Sequence, residues 1–74
     1  MFDEREALVL EVRSWEVHGS GFVDVTVAYQ DRRVETARLG RESAPPDLEA
    51  GERVMVRVVM STIVEVLRPP AEPA

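Results

Sequence analysis

One uninterrupted stretch near the C-terminus, GERVMVRVVMSTIVEVLRP, constrains the fold more than any other part of the 74-residue sequence. Between Arg53 and Leu67 it contains no Gly, Pro, Asn or Asp that would break a β-strand. A single strand of that length would extend about 50 Å at roughly 3.3 Å per residue. A compact domain of this size is only about 30 Å across, so the stretch has to bend or fold back on itself.

The side-chain pattern of this stretch favours two antiparallel strands joined by a turn at residues 60–62. That turn opposes apolar residues with apolar ones, and a positive residue with a negative one, which stabilises strand pairs. The predicted pairs are Val58–Val64, Val56–Val66, Val59–Ile63, Arg57–Glu65 and Met55–Leu67. Because the turn contains neither Gly nor Asn, one sharply bent strand stays open as the alternative.

The first predicted strand covers Ala7–Val17, and its apolar residues change phase along the way. They begin at even positions and end at odd positions, which requires one extra residue in the strand, a β-bulge. We expect this bulge near residues 13–14. The residues expected to point inward are Leu8, Leu10, Val12, Trp15 and Val17.

A turn at residues 19–21, GSG, should connect this strand to the next one, because its glycines tolerate positive φ. A loop of three residues would place Val17 opposite Val23 and Trp15 opposite Val25, which keeps the apolar residues of both strands on one side. The second strand, Phe22–Gln30, alternates apolar and polar residues. Those predicted to face inward are Val23, Val25, Val27 and Tyr29.

The rest of the chain supplies one more strand, one loop and a tail. The third strand is predicted at Val34–Leu39, after a turn at residues 30–33. Residues 40–50 form a loop that contains two prolines, and residues 46–51 read as a single helical turn with Pro early and Gly at its end. We therefore expect one domain over residues 1–68, followed by a Pro-rich, disordered tail at residues 69–74.

The predicted order is three strands, a helical turn and two strands, and the first strand is long and bulged. This order resembles the oligonucleotide/oligosaccharide-binding (OB) fold, with SH3-like barrels as the alternative. The segment from Leu48 through Gly51 to Val54 and Val56 also looks like the L-x-x-G-x-x-V-x-V entry to the penultimate strand of such small barrels. The resemblance implies an all-β, five-stranded antiparallel barrel whose faces and loops bind nucleic acid, saccharide or protein.

Composition limits the compartment and the chemistry. The sequence has no Cys, so no disulfide and no thiolate metal site is possible. Its N-terminus is acidic and no stretch approaches the roughly 20 apolar residues of a membrane span. We expect a cytoplasmic protein without a secretory signal and without membrane contact.

The sequence contains few residues that could form a catalytic site. The single imidazole, His18, lies two residues from Ser20, yet a surface turn residue explains it better than a general base. No spacing of His and carboxylates suggests a metal site. We expect no enzymatic activity, no catalytic residues, no metal and no cofactor.

A local basic segment raises nucleic-acid binding as an alternative function. Residues 32–41 hold four of the nine arginines and only one acid, Glu35, in a chain of net charge −5. Candidate contacts to phosphate are Arg32, Arg33, Arg38 and Arg41. Candidate aromatic platforms for single-stranded bases are Trp15, Phe22 and Tyr29. Trp15 and Tyr29 lie in the predicted inward phase, which weakens this alternative, as does the acidic net charge.

The preferred interpretation is a binding or assembly module that contacts a protein partner or further copies of itself. In the predicted hairpin, the side that faces away from the core is also apolar, and an apolar outer face needs a cover. The candidate interface residues are Met55, Val59, Ile63 and Leu67. We expect a homo-oligomer or a complex with another protein, with nucleic acid as the less favoured partner.

Overall fold

A computed structural model describes residues 2–69 of the chain. These residues form one antiparallel sheet of five strands in the order β3-β2-β1-β4-β5. The strands are β1 (Phe2–Val17), β2 (Ser20–Ala28), β3 (Val34–Gly40), β4 (Arg53–Val59) and β5 (Thr62–Leu67). A short 3₁₀ turn, Arg41–Ser43, follows β3. The all-β, antiparallel, five-stranded prediction is therefore confirmed.

Strand β1 is the central strand and is longer than predicted. Its first half pairs with β4, and its second half, from Leu8 onward, pairs with β2. The predicted bulge exists, but it lies between Val9 and Glu11 and not near residues 13–14. As a result the inward phase is odd before the bulge and even after it, which is the reverse of the prediction. Leu8 and Leu10 are exposed, whereas Val9 is buried.

The core lies on one side of the sheet and consists mainly of valine. The alternation predicted for β2 is confirmed, because its predicted inward residues are all buried. Burial of one such side chain contributes about 2 kcal/mol of transfer free energy. The largest fully buried side chains are Val9, Val25, Val27, Val54, Val56 and Val66.

Closure of the sheet into a barrel is not confirmed. Strands β3 and β5 are the two edges of the hydrogen-bonded sheet, and no backbone ladder joins them in residues 2–69. They do come close to each other, and the 3₁₀ turn packs against both. The sheet is therefore curved enough to bring its edges together without hydrogen bonds between them.

The β1–β2 turn has two residues, not the predicted three. His18 and Gly19 both have positive φ, 50° and 81°, as a type I′ turn requires. The shorter turn changes the register, so Trp15 pairs with Phe22. The predicted Trp15–Val25 and Val17–Val23 pairs are thus wrong.

The β4–β5 hairpin is confirmed, and the single bent strand is excluded. The predicted pairs Met55–Leu67, Val56–Val66 and Arg57–Glu65 are all present. The turn again has two residues of positive φ, Met60 (49°) and Ser61 (67°). A bulge at Val64 then shifts the register, so that Val58 pairs with Ile63 and Val59 with Thr62.

The loop between β3 and β4 does not contain the helical turn predicted at residues 46–51. Asp47 and Gly51 have positive φ, 60° and 94°, which interrupts a helix. The Gly51 N–H donates to the Val9 carbonyl at 2.8 Å, so this segment is tied to β1 by backbone bonds. Leu48 is buried against the core. Apart from Pro69, the predicted tail lies outside the described residues.

Candidate interaction surface

The side of β1, β2 and β3 that faces away from the core is a continuous surface, which we call the outer β1–β3 face. Residues that pair across strands lie on the same side of a sheet, so the register divides this face into four rows that cross all three strands, with the exposed pair Val17–Ser20 beyond the last row. They are the aliphatic row Leu8–Ala28–Val34, the threonine row Glu11–Thr26–Thr36, the arginine row Arg13–Asp24–Arg38 and the aromatic row Trp15–Phe22–Gly40.

The aliphatic end of this face is open to solvent. Leu8 is 40% exposed and Val34 is 56% exposed, and the neighbouring bulge residue Leu10 is 44% exposed. Large apolar side chains this accessible and this close together mark interaction surfaces more often than isolated ones do. Nothing in residues 2–69 covers them.

The aromatic end of the face carries a stacked group of side chains. The rings of Trp15 and Phe22 are stacked, with centroids 4.9 Å apart and an interplanar angle of 23°. The Arg38 guanidinium lies 4.4 Å from the Trp15 ring centroid. Trp15 was expected in the core, and that expectation is wrong because the bulge lies earlier in β1. Its indole nitrogen donates to the Asp24 carboxylate at 3.2 Å.

Asp24 connects the arginine row to the aromatic row. Arg38 donates to both of its carboxylate oxygens, at 3.0 and 3.3 Å. This hydrogen bonding lowers the pKa of Asp24 below its ordinary value, aided by the Trp15 indole and opposed by partial desolvation. Arg13 lies on the other side of Asp24 and lowers the same pKa by its charge. The row therefore holds two positive groups around one carboxylate that stays ionised.

The four arginines of the basic segment do not form one patch. Arg38 lies on the outer β1–β3 face, whereas the Arg41 guanidinium occupies the space where a side chain at Gly21 would lie, on the opposite side of β2. Arg32 and Arg33 lie in the turn before β3, at the opposite end of that strand from Arg41. Two of the four are paired with acids: Arg38 with Asp24, and Arg33 with Asp31 at 2.8 Å.

Tyr29 is part of the core and is not available as a platform for a base. It is only 8% exposed, and burial raises its pKa, with the charge of Glu35 as the next cause. The Arg33 guanidinium covers its ring from 5.5 Å.

The structure separates the four interface residues predicted on the last hairpin. Met55, Val59 and Leu67 lie on the outer side of β4 and β5 and are half-buried. Ile63 is buried in the core, so its predicted outward orientation is wrong. The bulge at Val64 is the cause, since it moves Ile63 opposite Val58 and leaves Val64 40% exposed.

The outer side of that hairpin is also less apolar than the sequence suggested. Arg57 lies at its centre and donates to Glu65 at 2.9 Å and to Glu4 at 3.0 Å. Glu4 comes from the N-terminal end of β1, a part of the strand that was not predicted. The β1–β4–β5 region therefore covers itself with an ion-pair network, and its apolar side chains are partly shielded.

The residues considered for catalysis lie on the surface of the β1–β2 turn region. His18 is an exposed turn residue, and Ser20 is exposed at the start of β2. In the part of the chain that the structure describes, no three His, Cys, Asp or Glu side chains are grouped to hold a metal ion. Within the same part, no helix is long and apolar enough to cross a membrane.

Sequence reasoning missed Leu8, Leu10 and Val34 as surface residues. A signal for Leu8 was present, because Glu4 and Glu6 share its even phase and charged residues favour the solvent side of a strand. The run from Ala7 to Leu10 is apolar in both phases, so it indicates neither side by itself. Only the position of the bulge decides which residues are exposed.

Comparison with known proteins adds no further constraint: no family model, no curated protein and no solved structure matches the chain.

Proposed function

We propose that the protein is a non-catalytic binding and assembly module that acts through its outer β1–β3 face, by contact with another protein or with further copies of itself. The observation that carries this proposal is the exposure of Leu8, Leu10 and Val34 at one end of the face. Exposed apolar side chains in one patch lose contact with water when a partner covers them, and this stabilises the complex.

The composition of the rest of the face supports the proposal. Trp, Phe and Arg side chains are enriched in the centres of protein interfaces, and Trp15, Phe22 and Arg38 lie together here. Asp24, the one acid of the arginine row, is already hydrogen-bonded to Arg38 and Trp15. A partner that covers this group therefore buries a carboxylate that already accepts hydrogen bonds from two side chains, which offsets part of the desolvation penalty.

We propose further that the curved sheet is an open, OB-like barrel located in the cytoplasm. The central position of the long, bulged β1, and the approach of β3 to β5, support the barrel arrangement. The absence of Cys supports a reducing compartment.

Single-stranded nucleic acid is the second candidate ligand of the same face. The observation that favours it is the outward position of Trp15, which stacks on Phe22 and lines a depression of ≈ 320 Å³ together with Arg13, Arg38 and Asp24. Two observations weigh against it. One face of Trp15 stacks on Phe22 and Arg38 lies over its ring, and the chain carries a net charge of −5, which repels phosphate.

A site-specific photo-crosslinker tests the proposed function. It is placed at Thr36, at the centre of β3 on the face, and in a matched variant at Glu49, which is exposed on the loop between β3 and β4. Irradiation in cells that contain the protein should yield a protein adduct at Thr36 and little at Glu49, whether the adduct is a second copy or another protein. Equal yields at both positions contradict the proposal, and an adduct that contains only nucleic acid favours the second candidate.

A further inference from the structure

Two opposite charges on the outer β1–β3 face have no ion-pair partner within residues 2–69. Glu11 and Arg13 are both exposed and lie two residues apart on β1, in the threonine row and the arginine row. Most other charged residues of the strands form an ion pair, such as Arg5 with Asp3 and Arg57 with Glu65. Within its rows the face therefore presents one acid and one base that a partner surface with the opposite order would pair, while a second acid, Glu42, lies at its edge over Gly40.

The same face supplies that opposite order when it is turned by a half rotation. From one end to the other, its rows are aliphatic, threonine, arginine and aromatic. A two-fold axis that crosses the strands between the threonine row and the arginine row brings the aliphatic row against the aromatic row, and the threonine row against the arginine row. Such an isologous contact is the commonest kind of symmetric dimer interface.

We propose that the outer β1–β3 face binds a second copy of this chain in that register. The proposal rests on the proposed function and names its partner. Arg13 faces Glu11 of the second copy, and Leu8 faces Trp15. The other facing pairs are Ala28–Phe22, Val34–Gly40, Thr26–Asp24 and Thr36–Arg38. Two sheets packed in this way lie about 10 Å apart with their strands nearly aligned.

Charge excludes the neighbouring registers. An axis through the arginine row places Arg13 on Arg13 and Asp24 on Asp24, and like charges that face each other oppose association. An axis through the threonine row places Leu8 on Arg13, which buries a charge against an aliphatic side chain. An axis parallel to the strands again places Asp24 on Asp24. Only the register between the two central rows pairs Arg13 with an acid and opposes no like charges.

One pair of side chains is complementary in size in the same register, because the small Ala28 meets the large Phe22. Val34 meets Gly40, over which the Glu42 carboxylate lies, so this exposed side chain moves aside when the two faces meet. A large residue that meets a small one helps two sheets to interdigitate.

The small area of the face indicates a weak complex. Three strands about 4.8 Å apart and four rows about 6.7 Å apart cover roughly 400 Å² on each copy. An interface below about 1,200 Å² in total is typical of weak, transient complexes. We therefore expect a dimer that forms with a dissociation constant on the order of 100 µM.

Sedimentation velocity with charge-swap variants tests the proposal. The wild-type chain is measured from about 10 µM to about 1 mM and should shift from monomer to dimer. Glu11→Arg places Arg opposite Arg13 of the second copy and should weaken the dimer about tenfold or more. The double variant Glu11→Arg/Arg13→Glu restores opposite charges and should recover dimerisation to within about threefold of the wild type. Thermal unfolding of each variant checks that it is folded.

Glu49→Arg is the matched control, because it makes the same charge change on the loop between β3 and β4 and should leave the dimer unchanged. A wild-type chain that stays monomeric at the highest concentration overturns the proposal. So does a folded double variant that dimerises no better than Glu11→Arg. A monomeric wild type that still forms a Thr36 adduct with another protein ends this proposal while leaving the proposed function intact.

Discussion

Arg38 and Trp15 are joined across an intervening strand: Arg38 is on β3, Trp15 is on β1, and the guanidinium carbon lies 4.4 Å from the indole ring centroid. Asp24, on β2 between them, accepts hydrogen bonds from both side chains. One cluster thus ties three strands together on the side of the sheet that has no hydrophobic core. It also fixes the shape of the aromatic end of the outer β1–β3 face.

Removing the indole ring should destabilise the sheet. Trp15→Leu keeps an apolar side chain but loses the stack on Phe22 and the hydrogen bond to Asp24. We expect the free energy of unfolding in urea to fall by about 1 kcal/mol. Leu10→Thr, at the exposed bulge position, is the control and should change it little. Equal effects of the two variants would show that Trp15 makes no specific contribution.

The free energy of unfolding at acidic pH should depend on Asp24. Its pKa is lowered in the folded state, so its contribution is present above the unfolded value of about 3.8 and is lost as the pH falls through the lower folded value. In Arg38→Leu the pKa of Asp24 should rise toward its ordinary value, because the largest cause of the shift is removed. Carboxyl-carbon NMR titration checks this, and an unchanged Asp24 pKa in the variant contradicts the geometry.

Substitutions at two neighbouring residues of the β5 bulge should differ in their effect on stability. Ile63 is 6% exposed, so Ile63→Val removes a buried methylene group and should lower the free energy of unfolding by about 1 kcal/mol. Val64 is 40% exposed, so Val64→Thr should be close to neutral. Chemical denaturation of both variants measures the difference. The reverse order of effects would restore the register expected from the sequence, with Val64 opposite Val58.

The β4–β5 turn is strained, and glycine should relieve it. Ser61 has φ of 67°, a conformation that is unfavourable by about 1 kcal/mol for residues with a Cβ atom. Ser61→Gly should therefore raise the free energy of unfolding by about that amount. Ser20→Gly is the matched control: it lies in β2, where glycine weakens a strand, and should lower stability. Destabilisation by Ser61→Gly would argue against the I′ turn.

Regular alternation made most of the fold predictable. From Val23 to Tyr29 every second residue is valine or tyrosine, and each is buried as expected. The length of the last apolar stretch correctly predicted a hairpin. The predicted Arg57–Glu65 pair, in the middle of that hairpin, is present.

The positions of the two bulges and the lengths of the two turns could not be predicted from alternation. A shift of one residue in any of them moves the following side chains to the other side of the strand. Trp15 and Ile63 show the consequence, since they were expected on the wrong sides of the sheet. Neither the His18–Gly19 turn nor the Met60–Ser61 turn has the Asn-Gly sequence that is typical of a type I′ turn. The candidate surface depended on these details, and so it emerged only with the register.

Amide chemical shifts followed on dilution test the central claim, that the protein associates with a second copy of itself through the outer β1–β3 face. Spectra of the wild-type chain are compared between about 1 mM and about 20 µM, a range that spans the expected dissociation constant. We expect concentration-dependent shifts at Leu8, Thr26, Phe22 and Val34, with none at Glu49. Shifts confined to Met55, Val59 and Leu67 on the last hairpin, or no shifts at any concentration, would contradict self-association through this face.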